Sequence, residues 1–344
     1  MTNLLERSSS DIFMAHAIEL ARKVDLSRDI NPRVGAVIVD STGNIVGEGW
    51  HNGSGTAHAE VMAIAQAGPK TVGATLYCTL EPCNAQGRTG PCAQAVIAAG
   101  ITKVVIGQLD PHKAMSGGVN TLQNAGIEVE IGVQYEEAFA LNPSWNFAQQ
   151  NNRPWIIWKT ATTLDGFIAA EDGSSKWITG ELARERVQEI RASVGAILTG
   201  TGTVLADDPL LTVRTLSADK QPLRVIIGDR DLPDNLQIFK GEKPAIRMSG
   251  DLSKVMTELW KSHKVHRVLV EAGSSVSKSL WSANLVDEVY WFQAPMIIGS
   301  GKQAIGNFGV NTITNASRFP EYQVDRIGVD LLVHFTTRSN FCKR

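Results

Sequence analysis

Two short stretches carry side chains whose types and spacing suit metal ligation. HAEVMAIA places His58 and Glu60 two residues apart, and EPCNAQGRTGPC places Cys83 and Cys92 nine apart, each directly after a proline. Paired cysteines can form a disulfide, sit inert in a core, or bind a metal. Four cysteines in 344 residues are too few for a disulfide scaffold, and adding His58 and Glu60 favours ligation over inert packing. One His and two Cys make three ligands, the number found at catalytic zinc, where water takes the fourth position; a structural site would use a fourth residue. Zinc brings the pKa of that water towards neutrality, and Glu60 is placed to shuttle its proton. Cys78, inside a strand, and Cys342, at the tail, read as packing residues.

A second set of residues suits nucleotide binding. In KTATTLDGFIAAEDGSSKWITG, Lys159 is expected to end a strand, Asp165-Gly166 to turn, and residues 175–179 to form a polar loop around Trp177. In AILTGTGTVLADDPLLTVR a buried strand runs into Gly200-Thr201-Gly202-Thr203, whose glycines let backbone N–H groups approach a phosphate or ring closely. EAGSSVSKSL follows another strand, and Ser274 and Ser275 open a helix whose N-terminus can hold pyrophosphate. IIGSG (297–301) is a further glycine turn. Several such turns at strand ends along one sheet edge imply a nucleotide crevice. Arg191 lies on a helix with Arg184, Arg186 and Glu189. Arg230, in GDRDLP after a strand, is a candidate for a nucleotide phosphate, with Asp229 as a negative neighbour.

These groups need elements to hold them. Residues 11–23 have helical spacing, with Ile12, Met14, Ala17, Ile18 and Ala21 expected on one face. Strand-like runs follow at 34–40, 44–51, 75–80 and 103–109. The helical segments AEVMAIAQAG and CAQAVIAAG lie between them, stopped by Gly68 and Gly100. His58 and Glu60 thus fall at one helix opening and Cys83 and Cys92 at the next, so two adjacent helix N-termini can bring the ligands to one point. NPSWNFAQQNNRPW (142–155) has no apolar period and reads as the boundary between domains at 1–145 and 150–344. A second strand series follows it: WIIWKTATT, SVGAILTG, LRVIIG, HRVLVEAG and EVYWFQAPMIIG. Strands alternating with helices predict layered α/β architecture in both halves. There is no internal repeat or low-complexity tract.

Composition narrows the function class. The length suggests two domains, with 43% apolar and 20% charged residues. A formal charge of −2 gives no basic field for nucleic acid or an anionic membrane. The N-terminus lacks the basic start and apolar run of a signal peptide, and no apolar stretch approaches the length that crosses a bilayer. The expectation is a cytoplasmic protein with reduced thiols that acts on a small molecule.

The His-x-Glu…Pro-Cys…Cys order matches the zinc-deaminase signature, in which the Glu is general acid/base and not a ligand. General nucleobase deaminases have two residues between their cysteines, whereas here there are eight. That loop, with NPRVGAVIV, LEPC and the later blocks, resembles the bifunctional riboflavin-biosynthesis deaminase/reductase family over almost the whole chain. The resemblance implies a cytidine-deaminase-like N-terminal domain with zinc. This domain would remove an amino group from a diaminopyrimidinone ribosylamine phosphate. Asn31, His51 and Arg88 match the family's substrate contacts. Ala85 and His112 depart from its pattern, at positions that serve base or ribose-phosphate recognition and not the metal.

The same resemblance implies a dihydrofolate-reductase-like C-terminal domain in which NADPH reduces the ribosyl group to ribityl. Ala161, Trp177, Thr203, Asp207 and the Gly273 turn match its NADPH contacts. Ser175, Arg191, Leu211, Arg214 and Glu271 match its substrate contacts. Arg191 and Arg214 would clamp the sugar phosphate, Glu271 would accept hydrogen bonds from sugar hydroxyls, and Lys159 would stabilise or protonate the ring-opened species. The family tends to self-associate, which implies a homo-oligomer. An alternative stays open: an active reductase whose deaminase half has changed substrate or lost activity.

Overall fold

Ser8 starts the first helix, α1 (Ser9–Arg22), through a capping box: its hydroxyl oxygen takes the Asp11 N–H while the Asp11 carboxylate takes the Ser8 N–H. The buried residues of α1 are Met14, Ala17, Ile18, Leu20 and Ala21. Ile12 is 54% exposed, contrary to its expected place on that face. It stands two residues from Met14, a separation that puts side chains on opposite sides of a helix. The computed structural model describes residues 8–23, 31–53, 55–86, 90–214, 221–241 and 243–338. The chain divides between Gln150 and Asn151 into two compact units.

In the first unit, β1 (Gly35–Val39), β2 (Ile45–Trp50), β3 (Thr75–Leu80), β4 (Lys103–Gln108) and β5 (Glu128–Ile131) form one sheet in the order β2-β1-β3-β4-β5. β1 runs antiparallel to β2 and β3, while β3, β4 and β5 are parallel. Alternation along the strands sends Val37, Val39, Tyr77 and Val105 towards α1. It sends Ala36, Ile38, Leu76, Cys78, Val104 and Ile106 towards α2 (Ala59–Ala67), α3 (Cys92–Ala98) and α4 (Gly118–Asn124). Both faces are covered, which is why these strands read as continuous apolar runs. Gly49 in β2 is dictated by packing: a Cβ there would lie 2.1 Å from the Ala59 carbonyl oxygen at the start of α2.

The segment 142–155, expected to be an irregular boundary, contains a helix, α6 (Pro143–Asn151), after the short α5 (Tyr135–Ala140). Its burial involves a polar residue that apolar periodicity does not register. Asn146 is fully buried and exchanges amide hydrogen bonds with Gln108 of β4, at 2.5 and 3.3 Å. Just before it, Asn142 grips the Arg33 backbone from both sides, accepting from its N–H (2.7 Å) and donating to its carbonyl (2.9 Å).

The second unit is built on an eight-stranded sheet. Its strands are β6 (Trp155–Thr162), β8 (Ala196–Gly200), β9 (Leu223–Ile227), β10 (Ile246–Met248), β11 (Arg267–Val270), β12 (Glu288–Gln293), β14 (Tyr322–Ile327) and β15 (Asp330–Thr336). Their order is β10-β9-β8-β11-β6-β12-β15-β14, parallel from β10 to β12 and antiparallel at β15 and β14. β7 (Phe167–Ala169) and β13 (Lys302–Gln303) form a separate ribbon. The helices are α7 (Glu181–Ala192), α8 (Thr201–Asp207), α9 (Leu252–Lys261) and α10 (Ser274–Ser282). A core of Ile156, Trp158, Leu198, Val225, Met256, Val268 and Leu280 lies against the sheet. Among the described residues no helix is long and apolar enough to cross a membrane.

Candidate active sites

His58 is the N-cap of α2 and Cys92 the first residue of α3, so the two helix openings meet as the sequence spacing requires. His58 Nδ1 lies 3.1 Å from Cys92 Sγ and 3.5 Å from Cys83 Sγ. All three ligand atoms lie within 4.8 Å of one another. The Cys92 side chain, then the His58 ring and the Cys92 N–H (3.4 Å), lower the Cys83 thiol pKa against its burial. The bond to Cys83, then burial, raises the Cys92 thiol pKa. Two sulfurs and an imidazole nitrogen, three in number and pre-gathered, fit a tetrahedral zinc with one position left over.

Glu60, in the first turn of α2, is 3% exposed; burial pushes its carboxyl up to about 7, and it lies in hydrogen-bond contact with Cys92. Among the described residues, the group that could hold a metal ion comprises His58, Cys83 and Cys92 and does not include Glu60. His51, just past β2, is buried, with its Nδ1 3.3 Å from the Ala57 carbonyl oxygen and its Nε2 3.5 Å from Asn31 Nδ2. Its ring meets that of His58 edge-on at 5.3 Å. Asn31, His51, His58 and Glu60 are thereby brought into one neighbourhood. Arg88 lies outside the described residues, as does Cys342.

Sequence reasoning passed over Glu81. This buried carboxylate accepts the N–H groups of Asp110 (3.1 Å), Gly117 (3.0 Å) and Val119 (3.1 Å). It therefore ties the loop after β4 to the residues that lead into Cys83. The loop carries His112, whose N–H bonds Asp110 Oδ1 at 2.7 Å. Ala85 is half-buried beside Asn84, whose own N–H reaches the Met115 carbonyl oxygen. The only sequence signal for Glu81 is its place in LEPC; the contacts span up to 38 residues.

In the second unit, sheet register builds the site. Val270 of β11 pairs with Trp158 of β6, so the next residues, Glu271 and Lys159, stand side by side with Nζ 3.7 Å from Oε2. Lys159 was expected to end its strand; β6 continues to Thr162, paired with β12. Arg191, in the last turn of α7, grips Glu271 with Nε (2.6 Å) and Nη2 (3.0 Å). Burial opposes the Glu271 charge, but Arg191 and Lys159 outweigh it and hold the carboxyl at about 2. Burial lowers the Lys159 pKa, and Arg191 lowers it further while Glu271 pulls it back. One carboxylate between two cations leaves a buried net positive charge, suited to an anionic or electron-rich substrate.

Arg191 Nη1 also donates to the Thr212 carbonyl oxygen at 3.3 Å, next to Leu211, which is buried and has φ 51°. Arg214 is exposed, and its backbone N–H bonds Gln188 of α7. That loop has an organiser the sequence did not announce. Arg224, 4% exposed in β9, donates to the carbonyl oxygens of Leu210 (3.4 Å), Ile238 (2.7 Å), Lys240 (2.8 Å) and Lys243.

The glycine turns lie at the carboxyl ends of neighbouring parallel strands. β8 ends at Gly200 and leads into α8, and β11 leads through Gly273 into α10. The Thr203 hydroxyl oxygen accepts the Gly273 N–H at 3.1 Å, linking the two turns. Ser274 and Ser275 occupy the first turn of α10. Arg230, beyond β9, reaches over Gly202, where a Cβ would lie 4.0 Å from its Nη1. Lys176 Nζ donates to the Asp207 carbonyl oxygen at 3.3 Å, which brings the loop of Ser175 and Trp177 to the end of α8. Ala161 lies in β6, in register with Phe292 of β12. An open cradle of glycines and helix N-termini with a guanidinium above Gly202 fits a phosphorylated dinucleotide.

Comparison with known proteins gives concordant matches. Residues 154–333 match the RibD C-terminal domain, and residues 7–108 match the cytidine and deoxycytidylate deaminase zinc-binding region. The chain is 39% identical to riboflavin biosynthesis protein RibD of Aquifex aeolicus, over 94% of this chain and 97% of that protein. It is also 39% identical to RibD of Mycobacterium tuberculosis, over 98% and 100%. The solved structure of Acinetobacter baumannii RibD superposes with a TM-score of 0.86 at 36% identity, covering 96% of this chain and 99% of that one. A Thermotoga maritima diaminohydroxyphosphoribosylaminopyrimidine deaminase/5-amino-6-(5-phosphoribosylamino)uracil reductase superposes with a TM-score of 0.80 at 34% identity, covering 95% and 98%.

Proposed function

The chain belongs to the RibD family of riboflavin biosynthesis proteins and combines a deaminase with a reductase, and we propose how its own residues divide that work. Residues 1–145 carry the zinc-dependent deamination and residues 150–344 the NADPH-dependent reduction. The observation that carries the reading is the convergence of His58, Cys83 and Cys92 within 4.8 Å with Glu60 alongside.

His58, Cys83 and Cys92 would hold zinc, which when bound would lower the pKa of a water and so supply the nucleophile for hydrolytic deamination. Glu60, beside these residues, would carry a proton from the attacking water to the leaving amino group. Its burial suits the task, because a carboxyl near neutrality both accepts and releases a proton at working pH. His51, Asn31 and Arg88 bind the pyrimidine ribosylamine phosphate, and the Glu81-anchored loop closes one side.

In the reductase half, Thr203, Asp207, Gly273, Ser274 and Ser275 cradle NADPH, Ala161 and Trp177 contact it, and Arg230 meets its 2′-phosphate. The cofactor supplies reducing power; the chain orients it. Lys159 Nζ gives a proton to the sugar oxygen released as the ring opens, its lowered pKa favouring the transfer. Ser175, Arg191, Leu211, Arg214 and Glu271 bind the sugar phosphate, with Glu271 accepting from sugar hydroxyls. The reading also carries a cytoplasmic location, in keeping with reduced ligand thiols, and self-association, checked by light scattering of the purified chain.

The experiment that tests it follows ammonia release and NADPH oxidation in one cuvette, with zinc-loaded protein and the diaminopyrimidinone ribosylamine phosphate. Ammonia first and oxidised cofactor second supports the reading. Oxidation only when the deaminated compound is supplied overturns the deaminase half.

A further inference from the structure

The peptide group between Thr179 and Gly180 is held from both sides by residues that the proposed function does not use. Arg184 Nη1, from the first turn of α7, donates to the Thr179 carbonyl oxygen at 2.9 Å. Asp330 Oδ2, from the first residue of β15, accepts the Gly180 N–H at 2.7 Å. Asp330 is 1% exposed, and its Oδ1 makes no hydrogen bond, so the contact to Gly180 is made by Oδ2 alone. Gly180 is the N-cap of α7 and has no side chain to cap it, and a Cβ there would lie 3.3 Å from Asp330 Oδ2. The carboxylate thus stands at the helix N-terminus in place of a cap, where negative charge is stabilised.

The same guanidinium that holds the peptide lies over the Trp177 ring, with its carbon 4.7 Å from the ring centroid. Trp177 is 65% exposed. A large indole left this far in solvent has no core packing to fix its rotamer. Arg184 supplies an orienting contact on one face, as a planar guanidinium does well. Lys176 ties the loop to α8 on the other flank.

We propose that Arg184 is a positioning residue for NADPH, holding the Trp177 indole in the orientation that the cofactor meets, with Asp330 locking the far side of the same peptide. The inference rests on the reading of Trp177 as a cofactor contact. It adds a cause for the placement of that ring: one cation, fixed by a backbone carbonyl, presents an aromatic face that is otherwise free to turn. Reducing the contact leaves the phosphate cradle at Gly273 untouched, so the effect falls on cofactor affinity and not on the deaminase.

The test uses the full chain labelled with 5-fluorotryptophan, with the Trp177 resonance assigned by its loss in Trp177→Phe. In cofactor-free protein, Arg184→Ala shifts and narrows the Trp177 fluorine resonance while the other tryptophan resonances stay in place, which also reports that the fold is intact. Titration with NADPH then gives a dissociation constant raised about two- to fivefold in Arg184→Ala. In a Trp177→Ala background the same change has no further effect on affinity. Asp330→Asn moves the Trp177 resonance in the same way, with KM for NADPH rising more than kcat falls. If Trp177→Ala binds NADPH as the unmodified chain does, the reading of Trp177 fails and takes the proposal with it. If Trp177→Ala weakens binding but Arg184→Ala leaves resonance and affinity unchanged, or its effect adds fully to that of Trp177→Ala, the proposal alone is overturned.

Discussion

Arg191 and Glu271, 80 residues apart in the chain, form a two-pronged ion pair at 2.6 and 3.0 Å, and Lys159 completes it from the adjacent strand at 3.7 Å. The pair forms because α7 delivers Arg191 in its last turn while β11 ends one residue before Glu271. Glu271→Gln leaves two buried cations without a counter-charge. The expected result is a loss of about 3–5 kcal/mol of stability, seen as a lower denaturant midpoint, and a sharp fall in NADPH oxidation with ammonia release retained.

Glu60→Gln keeps the size of the side chain and removes its proton transfer. Ammonia release should fall by about 10²- to 10⁴-fold. Zinc content measured by plasma mass spectrometry should stay at the unmodified level if, as proposed, Glu60 is not a ligand. NADPH oxidation with the deaminated compound supplied should be unchanged.

Cys83→Ser and chelator treatment should act alike. Removing the thiolate lowers zinc content, and ammonia release falls with it, while NADPH still binds. Restored zinc should recover the chelated protein and not the variant.

Glu288 gives a prediction about acid that leaves both sites alone. It accepts from Trp155 Nε1 at 2.7 Å and lies 2.9 Å from His334 Nε2. Burial disfavours its charge, but the bond to His334 and the charge of Arg267 outweigh this and hold it at about 2. A carboxyl whose pKa falls on folding stabilises the protein above its unfolded value, and that contribution disappears as pH drops towards the folded one. Between about pH 4.5 and pH 2 the contribution, of order 1–3 kcal/mol, should vanish. Denaturant midpoints measured across this range should fall less steeply in Glu288→Gln than in the unmodified chain.

Gly49→Val tests the packing that sets the zinc ligands. Its Cβ would fall 2.1 Å from the Ala59 carbonyl oxygen, one residue from His58, so α2 has to move. A loss of about 1–3 kcal/mol, weaker zinc retention and slower ammonia release are expected, with the reductase activity preserved.

Legibility in the sequence tracked the range of the interactions. The convergence of His58, Cys83 and Cys92 was legible because ligand chemistry restricts residue type and two short motifs carry them. Strands β1, β3, β4 and β6 were readable because burial on both faces leaves continuous apolar runs. α6 was not, since its buried Asn146 is paired with Gln108, 38 residues away, and polar burial leaves no hydrophobic period. Ile12 was misplaced because apolar type was given weight over helical angle.

The sequence by itself determined the two α/β halves, the residue types and order of His58, Glu60, Cys83 and Cys92, and the glycine turns at strand ends. Each depends on residue type within a few positions of its neighbours. Only the tertiary structure decided that Glu271 would be held between Arg191 and Lys159, that Glu81 would collect three N–H groups from the loop of His112 and the start of α4, and that Arg184 and Asp330 would grip one peptide beside Trp177. Charged side chains choose partners by distance and burial after the sheet register is set, and that register is fixed by packing across the whole unit.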